Sequence, residues 1–321
     1  MRIVLLDSYA ADQGQPEVFW QGFHRLGEVA IYPRTAAEDV VARARGATAI
    51  IINKVVVDAA TFAALPELGY VGVLATGVNV VDLAAARTAG VAVTNVPGYS
   101  SESVAQLVFA LIFAFTHDVA GHAAAVAAGQ WAASPDYCFF RQPLTELAGK
   151  TLVVVGSGAI GNAVARIGEA FGMRVLRAAV PGSLTTAGRT PLAECLAAGD
   201  VVSLHCPLTD TTRGLVDERF LAAMKADAIL LNTGRGPLID ETALVAALEA
   251  GRLRGVGLDV LSAEPPPADH PLIRPEAPWA RRVVVTPHIG WGTVEARHRL
   301  AAAVVDNLVA FLAGHPRNRV A

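Results

Sequence analysis

The sequence predicts an α/β protein with two doubly wound parallel sheets, the second unit being inserted into the first. Short aliphatic strands alternate with helical stretches along the chain, and this alternation is typical of a parallel sheet covered on both faces. A glycine-rich turn at Gly156 opens a second such series. We expect residues 1–99 plus 292–321 to form one domain and residues 100–291 to form the other.

The bulk composition predicts a globular protein without a charged docking surface. The 321 residues suffice for two domains, and 53% are hydrophobic against 17% charged. The 26 basic and 29 acidic residues are scattered, which disfavours a nucleic-acid or membrane partner. The three cysteines form no CxxC pair, so we expect free thiols in the cytoplasm and no metal site. The first residues show no signal-peptide pattern.

The first series predicts a five-stranded sheet and its covering helices. Helical stretches such as 36–46 and 82–90 end at glycines. One long Ala-rich helix is predicted over about 101–129, and a last helix over 294–312 could return to cover the first sheet. The predicted strands are 2–7, 29–33, 49–53, 70–76 and 91–96.

The second series begins with a glycine motif between a strand and a helix, "GSGAIG" at 156–161. Gly156 permits the tight turn, Gly158 lets a pyrophosphate approach the backbone, and Gly161 allows close helix packing. Ala159 and Ile160 open the helix whose N–H groups would face the phosphates. The motif therefore predicts a Rossmann-type dinucleotide site. The predicted strands are 150–156, 173–179, 200–207, 228–234, 255–260 and 282–288.

The choice between NAD and NADP stays open in the sequence. A carboxylate about 20 residues after the glycine motif usually binds the adenosine ribose. Ala179 stands at that position, with Arg177, Ser183 and Arg189 nearby. Without the acid, a ribose phosphate meets no repulsion, so both cofactors are candidates. The alternative for Arg177 is a solvated charge at a strand end.

Polar side chains follow four strands of the second series. The carboxyl ends of strands line the ligand crevice in an open α/β sheet, so these residues are predicted to converge there. This convergence is the strongest functional signal in the chain. The residues are His205 and Cys206 after one strand, Arg235 after the next, Asp259 with Glu264 after the third, and His288 after the fourth.

Each of these residues also has a structural interpretation. Arg235 could pair with Asp240, but its flanking glycines leave the guanidinium open for bidentate capture of a carboxylate. His288 could be an ordinary loop histidine and Glu264 a surface residue. A glutamate beside a histidine is, however, the arrangement that orients an imidazole. His205, at an alternating strand position, is interpreted as mainly structural.

These motifs together resemble the D-isomer-specific 2-hydroxyacid dehydrogenase family. The similarity runs through nearly the whole chain, and the segments "NKVVVDAAT", "GVLATGVNVVDLAAARTAGVAVTNVPGYSSESVAQLVFAL" and "HPRNRV" look most like its glycerate dehydrogenase (hydroxypyruvate reductase) branch. The other segments that carry the family resemblance include "DVVSLHCPLTDTTRGLV", "LLNTGRGPLIDETALVAAL", "GLDVLSAEPP" and "TPHIGW".

The resemblance implies a role for each matching residue. His288 would donate a proton to the ketone oxygen, and Glu264 would hydrogen-bond His288 and keep it protonated near neutral pH. Arg235 would bind the substrate carboxylate, helped by N–H groups around Thr76 and Gly77. Asp259 would orient the nicotinamide carboxamide. Residues implied to line the cofactor are Cys206, Thr233, Gly234 and Gly290.

The implied activity is NAD(P)-dependent and reduces hydroxypyruvate or glyoxylate to D-glycerate or glycolate. Two alternatives stay open, a phosphite dehydrogenase-like member of the family and a nucleotide-sensing interaction protein. A homodimer is also expected. The apolar segment 123–143 is a candidate dimer arm, and its alternative is an ordinary covering helix and loop.

Overall fold

The chain divides into two compact units in this computed structural model, which describes residues 1–183 and 187–321. One unit consists of Met1–Ser100 with Gly292–Ala321, and the other is Ser101–Trp291. Each unit contains its own parallel β-sheet with helices, so the predicted α/β class is confirmed. The assignment of substrate binding to the first unit and of cofactor binding to the second stays a prediction.

A five-stranded sheet organises the first unit. Its elements in chain order are β1 (Arg2–Leu5), α1 (Tyr9–Asp12), α2 (Pro16–Phe19), α3 (Gln21–His24), β2 (Glu28–Ile31), α4 (Val40–Ala44), β3 (Ala49–Ile52), α5 (Ala59–Ala64), β4 (Tyr70–Val73), α6 (Leu83–Thr88) and β5 (Ala92–Thr94). The strand order is β2-β1-β3-β4-β5, and all neighbours are parallel. Every residue of β3 and β4 is buried, as expected for central strands covered on both faces.

A six-stranded sheet organises the second unit. Its elements are α7 (Ser101–Thr116), α8 (Val119–Ala127), β6 (Thr151–Val155), α9 (Ala159–Ala170), β7 (Arg174–Ala178), α10 (Leu192–Ala198), β8 (Val201–Leu204), α11 (Glu218–Ala223), β9 (Ile229–Asn232), α12 (Glu241–Glu249), β10 (Gly255–Leu258) and β11 (Val283–Val285). The strand order is β11-β10-β9-β8-β6-β7, and all neighbours are parallel.

Alternate residues of the second sheet's strands enter separate hydrophobic clusters. Val153 and Val155 of β6 belong to one cluster, whereas Leu152 and Val154 belong to another. Because successive strand residues point to opposite faces, both faces of this sheet are covered. The carboxyl ends of the strands therefore remain the places where polar side chains can gather.

The last helix, α13 (Val294–Leu312), belongs to the first unit. It packs close to β4 because Gly72 has no side chain, and a Cβ there would lie 3.2 Å from Val304. The rings of Tyr70 and Phe311 lie 5.1 Å apart across the same contact. The chain thus returns to cover the first sheet after completing the second.

The prediction of one long helix over about 101–129 is wrong. The chain breaks at Asp118, whose φ of 45° is left-handed, and α7 and α8 are bent by 54°. The Asp118 carboxylate accepts the Gly121 N–H at 3.2 Å and so caps α8. Within the described residues, no single helix is long and apolar enough to cross a membrane; the bent α7–α8 pair passes that test by length and composition alone.

Candidate active site

The glycine motif forms a tight strand–helix turn after β6. Gly156 has a φ of +108°, and a Cβ there would lie 2.5 Å from the Cys206 backbone nitrogen. A Cβ on Gly161 would clash with the Gly156 carbonyl oxygen, whereas one on Gly158 would meet nothing within 4 Å. The open side of Gly158 lies at the N-cap of α9, where the first-turn N–H groups have no intrahelical acceptor. This cradle fits the pyrophosphate of a dinucleotide.

The end of β8 beside this turn carries two groups that are uncharged at neutral pH. Cys206 is 4% exposed, and burial raises the pKa of its thiol to about 11. His205 shares a 2.8 Å hydrogen bond between its Nε2 and Ser203 Oγ, and burial lowers its pKa to about 4. His205 is therefore neutral and hydrogen-bonded within its own strand, in line with its structural interpretation.

The end of β7 has an alanine where a ribose-binding acid would stand. The Ala179 N–H donates to the Thr190 carbonyl at 2.8 Å. Arg177 lies 3.5 Å from Glu169 of α9, a long and partly exposed ion pair. Arg189 donates to Ser183 Oγ at 3.3 Å. Arg177 of β7 thus precedes Ala179, and Ser183 and Arg189 follow it along the chain, while Ala179 itself carries no charge.

Arg235 lies in a turn that its neighbour Asn232 shapes. Asn232 is fully buried at the end of β9, where it donates to the Arg235 carbonyl at 2.9 Å and accepts the Gly234 N–H at 3.0 Å. The guanidinium donates to the Gly234 carbonyl at 2.8 Å. Among the described residues, no carboxylate lies within ion-pair distance of it. The role of Asn232 was missed from the sequence, although an asparagine just before a turn is a usable signal.

Asp240 does not pair with Arg235, contrary to the structural alternative. Its carboxylate accepts the N–H groups of Thr242 and Ala243 at 3.0 and 3.2 Å and caps α12. An N-cap acid is stabilised by the helix dipole as well as by these bonds. The guanidinium therefore remains available for an anion.

Asp259 anchors the loop that carries His288. It is 2% exposed, and its oxygens accept Thr286 Oγ1 at 2.6 Å, the Ile289 N–H at 2.9 Å and the Gly290 N–H at 2.7 Å. Burial raises the pKa of Asp259, and these hydrogen bonds oppose the increase. The carboxylate thus ties the end of β10 to the residues after β11.

His288 and Glu264 form a close pair. The Nδ1 of His288 lies 2.6 Å from Glu264 Oε2, and the side chains are 26% and 33% exposed. The other carboxylate oxygen accepts the Leu261 N–H at 3.2 Å. His288 has a left-handed φ of 54°, and its N–H donates to the Thr286 carbonyl at 2.9 Å. Because Nδ1 faces the carboxylate, Nε2 is the nitrogen left to face a substrate.

The loops bearing these residues leave adjacent strands at one level. Asn232 of β9 pairs with Leu258 of β10, which pairs with Val285 of β11. Since parallel neighbours are about 4.8 Å apart, the Arg235, Asp259 and His288 loops emerge side by side. The structure therefore brings the predicted polar residues of these three strands to one edge of the sheet.

Three further predicted site residues, Thr233, Thr76 and Gly77, lie outside the hydrogen-bond networks described above. Thr233 is 8% exposed, and its hydroxyl has no hydrogen-bond partner within the part of the chain described. Thr76 and Gly77 follow β4 in the first unit, where Asn95 donates to the Thr76 carbonyl at 2.7 Å. In the described ranges, no group of three or more His, Cys, Asp or Glu residues could hold a metal ion.

Comparison with known proteins gives the family of this chain. The sequence model of the protein family "D-isomer specific 2-hydroxyacid dehydrogenase, NAD binding domain" matches residues 109–290. A hydroxypyruvate reductase of Blautia hydrogenotrophica is 40% identical over 100% of this chain and 99% of its own length. A glycerate dehydrogenase of Methylorubrum extorquens is 40% identical over 88% of each chain. The TT0316 protein of Thermus thermophilus superposes with a TM-score of 0.84 at 37% identity, covering 100% of both chains.

The chain belongs to the D-isomer specific 2-hydroxyacid dehydrogenase family. It is therefore an oxidoreductase that uses a nicotinamide cofactor, which confirms the family, the enzyme class and the cofactor class inferred from the sequence. The individual roles of its site residues remain proposals.

Proposed function

We propose that the protein reduces hydroxypyruvate or glyoxylate reversibly to D-glycerate or glycolate. The observation that carries this proposal is the 2.6 Å His288–Glu264 pair, on loops level with Arg235. An acid–base group and an unpaired cation are what reduction of a 2-oxo acid requires. The names of the two similar enzymes, hydroxypyruvate reductase and glycerate dehydrogenase, support this choice of substrate.

Arg235 binds the substrate carboxylate in this proposal. Its guanidinium is half-buried beside Gly234 and Gly236, and it donates a hydrogen bond to a backbone carbonyl. A planar fork of donors can bind a carboxylate with two parallel hydrogen bonds. Its positive charge would also polarise the adjacent carbonyl. The N–H groups of Thr76 and Gly77 are proposed as further donors to the carboxylate.

His288 supplies the proton in this proposal. A nicotinamide dinucleotide held at the glycine turn, Gly156 to Gly161, would supply the hydride for the carbonyl carbon. Nε2 of His288 gives its proton to the carbonyl oxygen, so the carbonyl group becomes a hydroxyl and the imidazole becomes neutral. Glu264 holds Nδ1 at 2.6 Å and stabilises the imidazolium before transfer. In the reverse direction, the neutral imidazole accepts the hydroxyl proton.

The cofactor is proposed to be held by the glycine turn and the strand ends around it. Gly156, Gly158 and Gly161, with the N–H groups of Ala159 and Ile160, would bind the pyrophosphate. Cys206, Thr233, Gly234 and Gly290 would line the site, and Asp259 would orient the nicotinamide carboxamide. Both NAD and NADP are proposed to bind, because Ala179 presents no carboxylate to a ribose phosphate.

We also propose a homodimer formed through the segment 123–143, and a cytoplasmic location. Large apolar side chains are exposed along this segment, with Trp131 at 52%, Tyr137 at 90% and Phe140 at 67%. Exposed apolar patches of this kind mark association surfaces. The three cysteines are free thiols, which fits a reducing compartment.

Steady-state reduction tests the proposed function. Hydroxypyruvate, glyoxylate, pyruvate and 2-oxoisocaproate would each be offered with NADH and with NADPH. We expect the highest kcat/KM with hydroxypyruvate or glyoxylate, and a loss of about 1,000-fold or more in Arg235→Ala and His288→Ala. If no 2-oxo acid is reduced while the dinucleotide still binds, the proposal fails, and phosphite oxidation or nucleotide sensing becomes the leading alternative.

A further inference from the structure

The loop that carries Glu264 is held by a carboxylate from another element. Glu241, the first residue of α12, accepts the Ser262 N–H at 2.9 Å on Oε1 and the Ser262 hydroxyl at 2.6 Å on Oε2. Ser262 lies two residues before Glu264. The Glu241 side chain is only 17% exposed, so these charge-assisted bonds form in a partly desolvated place. Glu241 thus fixes the backbone from which Glu264 projects.

His270 closes the network from the far end of the same loop. Its Nε2 lies 3.0 Å from Glu241 Oε2, and its Nδ1 accepts the Leu272 N–H at 3.3 Å. Since Nδ1 accepts, the ring proton lies on Nε2 and points to the carboxylate. The imidazole is 8% exposed. One partly buried carboxylate therefore holds Ser262 and His270, on either side of Glu264.

Gly236 brings the Arg235 turn against this loop. A Cβ at position 236 would clash with the carbonyl of Leu261 and the backbone nitrogen of Ser262. The Leu261 N–H in turn donates to Glu264 Oε1 at 3.2 Å. The position of Glu264 is therefore set by contacts on both sides of Leu261 and Ser262.

We propose that Glu241, acting through Ser262 and His270, is a positioning residue that aims Glu264 at His288. This inference rests on the proposed roles of Glu264 and His288. Without Glu241, the loop has lost its charged anchor, and the 2.6 Å contact to His288 lengthens. Two carboxylates face His288: Glu264, in direct contact with it, and Asp259. Burial raises the pKa of Asp259, and the charge of the nearby His288 opposes part of that increase. Only Glu264 is attached to the loop that Glu241 holds.

The test compares Glu241→Gln, Glu264→Gln and the double variant. Glu241→Gln keeps the shape of the side chain, but its one carbonyl oxygen cannot accept from the Ser262 N–H, the Ser262 hydroxyl and His270 Nε2 at once. We expect kcat/KM for the 2-oxo acid to fall by about ten- to a hundredfold, as for a small misplacement of a catalytic group, with KM for the dinucleotide unchanged. The pH above which reduction declines should move downward, because the imidazolium loses part of its stabilising partner. The double variant should be no slower than Glu264→Gln alone.

A purely structural role for Glu241 predicts a different pattern. The melting temperature would fall, the pH profile would stay in place, and the losses in the double variant would multiply; this result overturns the inference. Glu249→Gln, at the exposed end of the same helix, is the matched control and should change nothing. If Glu241→Gln does not fold, His270→Asn gives the same test, because it keeps the Leu272 cap and removes the bond to Glu241. His270→Gln, which keeps a donor near Glu241, should lose less.

A second readout separates this inference from the proposed function. Diethyl pyrocarbonate reacts with neutral imidazole, so the pH midpoint of His288 modification, followed by mass spectrometry, reports its protonation without turnover. We expect this midpoint to fall in Glu241→Gln and in Glu264→Gln. A wild-type enzyme that reduces no 2-oxo acid would refute the proposed function. An unmoved midpoint in Glu241→Gln, with a lowered midpoint in Glu264→Gln, would refute the inference alone.

Discussion

At the residue scale, the carboxylates of Asp240, Asp259 and Glu264 have different roles although they lie within 25 residues of one another. Asp240 caps a helix, Asp259 ties down a loop with three hydrogen bonds, and Glu264 contacts an imidazole. Their different partners, and not their residue types, separate these roles. The same reasoning applies at Ala179, where the absence of a carboxylate is the feature proposed to let both NAD and NADP bind.

The substitution Ala179→Asp should therefore change cofactor selection. A carboxylate at the end of β7 would repel a ribose phosphate and accept hydrogen bonds from ribose hydroxyls. We expect the Kd for NADPH to rise by about tenfold or more, while the Kd for NADH stays equal or falls. Protein fluorescence titration measures both constants. Ala179→Asn is the control, because asparagine has the shape of aspartate without its charge. Equal losses of NADPH binding in the two variants would contradict the electrostatic argument.

At the element scale, two adjacent residues at the start of α12 have different roles, one as the helix cap and the other toward the site. Asp240 uses its carboxylate on the first-turn N–H groups, and Glu241 uses its own on the loop bearing Glu264. Neighbouring residues at one helix end thus serve local folding and the site respectively. The Arg235 turn lies just before them, which explains why an ion pair with Asp240 was an attractive alternative.

The cap can be tested apart from the site. Asp240→Ala should lower the free energy of unfolding by about 1 kcal/mol, since the first-turn N–H groups lose their acceptor. Asp240→Asn retains an acceptor and should restore most of that stability. In both variants KM for the 2-oxo acid should stay within about twofold, because the Arg235 charge has no partner to lose. Denaturant unfolding and steady-state kinetics measure the two effects; a changed KM in Asp240→Asn would favour an Arg235–Asp240 interaction.

At the scale of the whole molecule, the segment 123–143 is held in place yet leaves its aromatic side chains exposed. Asp118 pairs with Arg141 at 2.8 Å, and His122 Nε2 accepts the Arg141 N–H at 3.2 Å. These bonds fasten the far end of the segment to the start of α8. A segment ordered in this way, with exposed aromatic rings, suits self-association better than an unattached loop does.

Removing those rings should weaken the proposed dimer. In Tyr137→Ser combined with Phe140→Ser, we expect the dimer dissociation constant to rise by about a hundredfold, since aromatic side chains dominate such interfaces. Sedimentation velocity over a range of concentrations measures this change. Val309→Ser on α13, where the side chain is 44% exposed, controls for loss of apolar surface elsewhere. A wild-type monomer at all concentrations would exclude the dimer.

Local patterns were enough to predict much of the fold. Aliphatic runs such as 49–52 and 70–73 became buried central strands, and the GxGxxG turn took up the strand–turn–helix geometry that its glycines permit. The break at Asp118 was missed because the apolar, Ala-rich pattern continues on both sides of it. The left-handed Asp118 is held by its cap to Gly121 and by its ion pair with Arg141.

The candidate site divides in the same way. The amino-acid sequence by itself determined the α/β class, the family, and the polar residues that follow each strand, because strand periodicity, glycine turns and residue chemistry are local properties. The tertiary structure decided which of these residues meet: His288 with Glu264, Asp259 with the loop after β11, and Glu241 with Ser262. Those pairings depend on the order β11-β10-β9 and on loop paths across strand ends. Contacts between residues so far apart along the chain arise only when the sheet is assembled.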